Sequence, residues 1–254
     1  MAQYEKWDES EHPRDEQGRF AKFGSIVVGQ GEPQEWEINH KPDNLPDNLP
    51  STKRTVNPGK ESIESAMYEN RIKTEFHIEE VYISRIDKEC AKDVYYGLKS
   101  MFSMFPQLDG YIKRLRYDQD LQELGQWNPF ENEMLLGRTF ADINAVKASY
   151  ELGVKRKKFL KTTTYKGVAI HEFAHALDYF LSDNKGRYSN KIIERIYHEF
   201  NLTKDFVKKT ASLGKKDSEF FAMFIQEYME QKQNASVIAK RIFRIVKEDL
   251  KNDT

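Results

Sequence analysis

The chain has 254 residues, enough for one large or two small domains, and its apolar share of 39% leaves side chains for a sizeable core. Lysine and arginine number 40 against 41 acidic residues, so no global charge draws the chain to nucleic acid, and the low mean hydropathy signals an exposed surface and a polar tail. The single cysteine, Cys90, excludes an intramolecular disulfide and suits a reducing compartment; with no basic-then-apolar leader and no run of about eighteen apolar residues, neither Sec secretion nor a membrane span is expected.

Residues 1–58 carry no helical or strand period, and a tandem Pro-Asp-Asn-Leu at 42–49 reads as linker, so this part is expected to be a flexible, largely disordered tail. A folded domain is expected over 59–254, beginning near Gly59-Lys60-Glu61. Cys90, Val94, Leu98, Met101, Phe102 and Phe105 form a helical stripe that Pro106 terminates, and Cys90 is read there as a packing residue. Aromatic and branched residues alternate with charges over 111–117, which predicts a half-buried strand, and Met134-Leu135-Leu136 reads as a second short one. The dense basic run at 155–161 lacks interleaved aromatics and is read as a solvated loop or helix face. Helical periods then cover 165–182, 190–201, 217–231 and 235–250.

Within the first of those helices stands His171-Glu172-Phe173-Ala174-His175, the His-Glu-x-x-His pattern of zinc-dependent peptidases. Histidines four apart share one helix face, where both imidazoles reach one tetrahedral zinc with the glutamate beside them as a base. Ile170, Phe173, Ala174, Leu177 and Leu181 fall opposite them, predicting an amphipathic helix with a buried back and a polar working face, and Thr164 is placed to cap its start.

Catalytic zinc usually takes three side chains, and several could supply the third. Asp178, seven residues after His171 on the same face, could ligate or could accept an imidazole N–H from behind the ligands. Glu194, His198 and Glu199 lie on a later helix whose buried stripe is Ile192, Ile193, Ile196 and Phe200, and they read as its solvated face. Glu219 opens the apolar run 220–225 just after possible caps at Asp217 and Ser218, so its carboxylate sits where a helix enters the core.

His-Glu-Phe-Ala-His-Ala-Leu-Asp at 171–178, followed by Ser-Glu-Phe-Phe-Ala-Met-Phe at 218–224, resembles the zincin domain of anthrax lethal factor and of related phage-encoded proteins. The resemblance implies one zinc ion per chain held by His171, His175 and Glu219, with Glu172 as general base. It also implies an α+β fold: a small mixed sheet, an active-site helix and a helical C-terminal part. The tyrosine found a few residues before the ligand glutamate in that family is missing from 210–214, which leaves Tyr165, Tyr179 and Tyr188 as candidate transition-state donors. Zincin architecture further suggests that Met134-Leu135-Leu136 is the strand edge along which a peptide adds by backbone pairing. The segment His12-Pro13-Arg14-Asp15-Glu16-Gln17-Gly18-Arg19-Phe20 is similar to a stretch of tailed-phage minor head and head-morphogenesis proteins, implying phage head proteins as partners of the tail.

The expected activity is therefore hydrolysis of a protein or peptide substrate by zinc-activated water, in a virion-associated protein or an effector in the host cytoplasm, with no nucleic-acid or membrane partner. The alternative is a non-catalytic phage structural or interaction protein that retains a zincin scaffold.

Overall fold

The computed structural model describes residues 61–155, 160, 163–183, 188–202 and 217–252. The expected tail, its boundary at 59 and most of the basic run at 155–161 lie outside them. In chain order the elements are α1 (Ile63–Glu75), β1 (Glu80–Tyr82), α2 (Lys88–Met104), β2 (Arg114–Asp118), β3 (Gly125–Asn128), β4 (Glu133–Gly137), α3 (Ile143–Lys155), α4 (Val168–Phe180), α5 (Tyr188–Phe200), α6 (Asp217–Gln231) and α7 (Val237–Asn252). The class is α+β, as expected, with one small mixed sheet among seven α-helices in the described residues. No helix among the described residues is long and apolar enough to cross a membrane.

The sheet runs in the order β1-β2-β4-β3. β1, β2 and β4 are parallel, with Leu115 of β2 between Val81 of β1 and Met134 of β4, and α2 makes the crossover that a parallel pair requires. β3 turns back through a hairpin to lie antiparallel on β4, Trp127 opposite Met134. Asn132 closes the hairpin with a φ of 46°, a left-handed conformation that asparagine tolerates. All five residues of β4 are buried, including Glu133, whose carboxylate meets the Arg116 guanidinium on β2 at 3.0 Å. The stretch Met134-Leu135-Leu136 is thus paired on both sides and cannot accept a further strand; among the described residues the outermost strand on this side is β3. This corrects the expectation from zincin architecture, which placed that edge one strand inward.

Asp87 caps α2 by accepting from the Glu89 N–H at 2.8 Å, and the helix ends just before Pro106, as its stripe requires. α4 is the central helix, packed against α2, α6 and β3. Its Phe173 is fully buried and meets Phe102 of α2 edge-to-face at a centroid distance of 4.9 Å. Gly97 lets the two helices close up, since a Cβ there would lie 3.2 Å from the Ala169 Cβ.

Two expectations for α4 fail. Thr164 does not cap it: a short 3-10 turn, Tyr165–Gly167, intervenes, and both the N–H and the hydroxyl of Thr164 reach Glu230 on α6 instead. Nor is α4 amphipathic. Every residue from Val168 to Asp178 except His175 is buried, because α6 and β3 cover the face that bears the histidines.

A candidate metal centre on α4 and α6

Helix α4 sets His171 and His175 one turn apart, their ring centroids at 4.9 Å. Helix α6 brings Glu219 to both from its first turn: Oε2 lies 3.4 Å from His171 Nε2 and Oε1 lies 3.6 Å from His175 Nε2. One ligand atom from each of the three falls within 4.8 Å of the others, so the group can hold a metal ion. Asp217 and Glu219 also place negative charge in the first turn of α6, where the helix dipole favours it.

The electrostatics match that geometry. Burial opposes charge on the His171 ring, yet the Glu219 and Glu172 carboxylates and the Gln226 amide together outweigh it and raise its pKa. His171 Nδ1, on the far side of the ring, is buried and has no hydrogen-bond partner among the described residues.

Glu172 lies beneath the edge strand. Burial pushes its carboxyl up to about 7; the nearby His171 pulls down, Glu219 pushes up, and a hydrogen bond from the Trp127 backbone N–H pulls down. β3 comes so close that a Cβ on Gly125 would stand 2.7 Å from Glu172 Cγ and 2.8 Å from its Oε1. A buried acid is thereby held between the histidine helix and the outer strand of the sheet.

Asp178 belongs elsewhere. Its carboxylate accepts from the backbone N–H of Ser189 at 2.7 Å and from the Ser189 hydroxyl at 2.9 Å, so it joins α4 to α5 rather than bracing an imidazole or ligating. Glu194 and His198 are exposed, as the solvated-face reading expects, while Glu199 pairs with Arg241 of α7 at 2.7 Å.

Of the three tyrosines, Tyr188 is buried and donates to Asp249 of α7 at 2.7 Å. Tyr165 sits in the turn before α4 with the Lys147 ammonium 5.5 Å from its ring centre, and Tyr179 packs against the core near Tyr111. Gly125, Trp127 and Gln226 are the site residues that the sequence reading missed. The one usable signal was the spacing of Gln226, seven residues after Glu219 and so on the same helical face.

No family model, curated protein or solved structure matches the chain.

Proposed function

We propose that the chain is a zinc-dependent endopeptidase of zincin type. The observation that carries this reading is the convergence of His171, His175 and Glu219, from two helices, beside the buried acid Glu172. Two donors on a tetrahedral zinc with bonds near 2.1 Å stand about 3.4 Å apart. Each Nε2 has one Glu219 oxygen near that range, Oε2 at 3.4 Å and Oε1 at 3.6 Å, and two imidazoles with one carboxylate form a donor set suited to a catalytic zinc.

When bound, zinc supplies a Lewis acid that acidifies a water and polarises the scissile carbonyl. The chain supplies the rest. Glu172, with a pKa near neutrality, takes a proton from the attacking water and returns it to the amide nitrogen as the C–N bond breaks. Apart from the Trp127 N–H that Glu172 already takes, the outer side of β3 would offer backbone groups to an extended peptide, which would then pass close to Glu172. Burial of His171 and Glu172 keeps those side chains in one arrangement before substrate arrives.

Elemental mass spectrometry on protein purified without chelator or histidine tag tests the metal; close to one zinc per chain is expected, and none after dialysis against zinc sinks the reading. Glu172→Gln should retain zinc and lose cleavage of a casein substrate by about 10²–10⁴-fold, with full turnover removing the base assignment. Glu219→Ala should lose most of the zinc; unchanged affinity would hand the third position to another carboxylate. Association with phage heads rests on the tail segment alone, and co-purification with particles is its test.

A further inference from the structure

Gln226 lies two helical turns after Glu219 on α6, and both side chains face α4. It is 2% exposed. Its Nε2 donates to Glu230 Oε2 at 3.1 Å and to the Thr164 carbonyl at 3.3 Å. A carboxylate and a carbonyl both serve as acceptors, so the two amide hydrogens are committed and Oε1 is left as the acceptor; the network itself sets the amide's orientation. Glu230 is fixed in turn by the N–H and hydroxyl of Thr164. Gly167 admits the amide: a Cβ there would stand 2.1 Å from Gln226 Nε2. One turn after Gly167 comes His171, which turns Nε2 to Glu219 and leaves Nδ1 buried without a hydrogen-bond partner among the described residues.

We propose that Gln226 is a positioning residue for the metal centre: its Oε1 accepts the His171 Nδ1–H, which fixes the ring's orientation and keeps Nε2 as the lone pair offered to the metal. The nitrogen that binds a metal is set by the hydrogen bond the other one makes, and that bond also raises the ligand's basicity. Thr164, Gly167 and Glu230 act behind Gln226, holding its amide in the one orientation that serves the ring. The inference rests on the zinc reading above.

The test is a zinc titration of the untagged full-length chain against a chromophoric chelator, with thermal unfolding measured alongside. Gln226→Leu, which removes the acceptor, should bind zinc about 10–100-fold more weakly. The double variant Gln226→Glu with Glu230→Gln exchanges donor and acceptor within the pair and gives up the bond to the Thr164 carbonyl, but still presents an oxygen to Nδ1; it should bind zinc more tightly than Gln226→Leu, to within a few-fold of the parent. Equal affinity in the parent and in Gln226→Leu overturns the inference while the zinc reading stands. A parent that binds no zinc fails the zinc reading itself and takes the inference with it. Weak binding by Gln226→Leu that the exchange does not restore assigns Gln226 to packing and overturns the inference. Should Gln226→Leu not fold, the exchanged pair decides alone, and lost affinity there overturns it.

Discussion

Glu172 shows how one missing atom can shape a site. Gly125 is needed not for its backbone angle but for the space a side chain would fill, since a Cβ would press on the Glu172 carboxyl from 2.7 Å. Overpacking of this kind costs about 1–3 kcal/mol or moves the neighbour that gives way. Gly125→Ala should therefore displace Glu172, cutting peptide cleavage by an order of magnitude or more and leaving zinc content at the parent level; unaltered cleavage would show that β3 does not aim the acid. At this scale the sequence was legible where chemistry imposes a spacing. His171, Glu172 and His175 stand four residues apart because one helix face must present them, and that pattern was visible without any fold. Glu219 was only one carboxylate among several until a family resemblance selected it. Gly125 and Gln226 were not legible, because each matters through what another element brings against it.

The helices of the C-terminal half are tied together by buried carboxylates that cap a neighbour. Asp178 on α4 holds the N–H and hydroxyl of Ser189 on α5, and Glu227 on α6 does the same for Ser236, whose own hydroxyl caps α7 through the Ala239 N–H. Ser236→Ala should lower unfolding free energy by about 1–3 kcal/mol, since it removes the cap and leaves one oxygen of a buried carboxylate without its donor. An effect near zero in a denaturant titration would mean that water replaces the hydroxyl. Asp178 adds a pH dependence. Burial raises its pKa from the ordinary 3.8, against the lowering by Ser189, so the folded chain holds that proton more tightly than the unfolded chain does. Its contribution to stability is then fullest below 3.8 and declines as the pH rises through the raised value. Asp178→Asn should remove that decline, seen as a flatter dependence of Tm on pH than in the parent; equal slopes would contradict it. Strongly periodic elements were legible at this scale: α2, α6 and α7 lie close to their predicted bounds. Helix α1 was not, because it buries only Ser65 and Ile72 and exposes Ile63 and Met67, so it carries no apolar stripe to read. β3 was missed for a related reason: an edge strand of four residues with one buried side chain has no alternation to detect.

For the whole molecule, the sheet and α4 form one continuous core with α6 and α7, so the candidate metal ligands are not mounted on a loop. Zinc at a hundredfold excess over its dissociation constant should raise unfolding free energy by about 2.7 kcal/mol, read as a higher Tm that chelation reverses. The triple substitution of His171, His175 and Glu219 by alanine should abolish that shift; its persistence would locate the ion elsewhere. The fold class was legible because helical periods fill the last third of the chain while the short strands precede them. The edge strand's identity was not, since pairing order depends on which strand turns back, and no local pattern records that.

The two histidines and the glutamate lie on helices separated by all of α5 and the residues around it. An emerging chain therefore exposes the histidine pair well before Glu219 exists to complete the donor set. Until α6 has docked, those imidazoles offer only two nitrogen donors. Were the group to hold zinc as proposed, selectivity would be a property of the finished helical half rather than of the His-Glu-x-x-His turn.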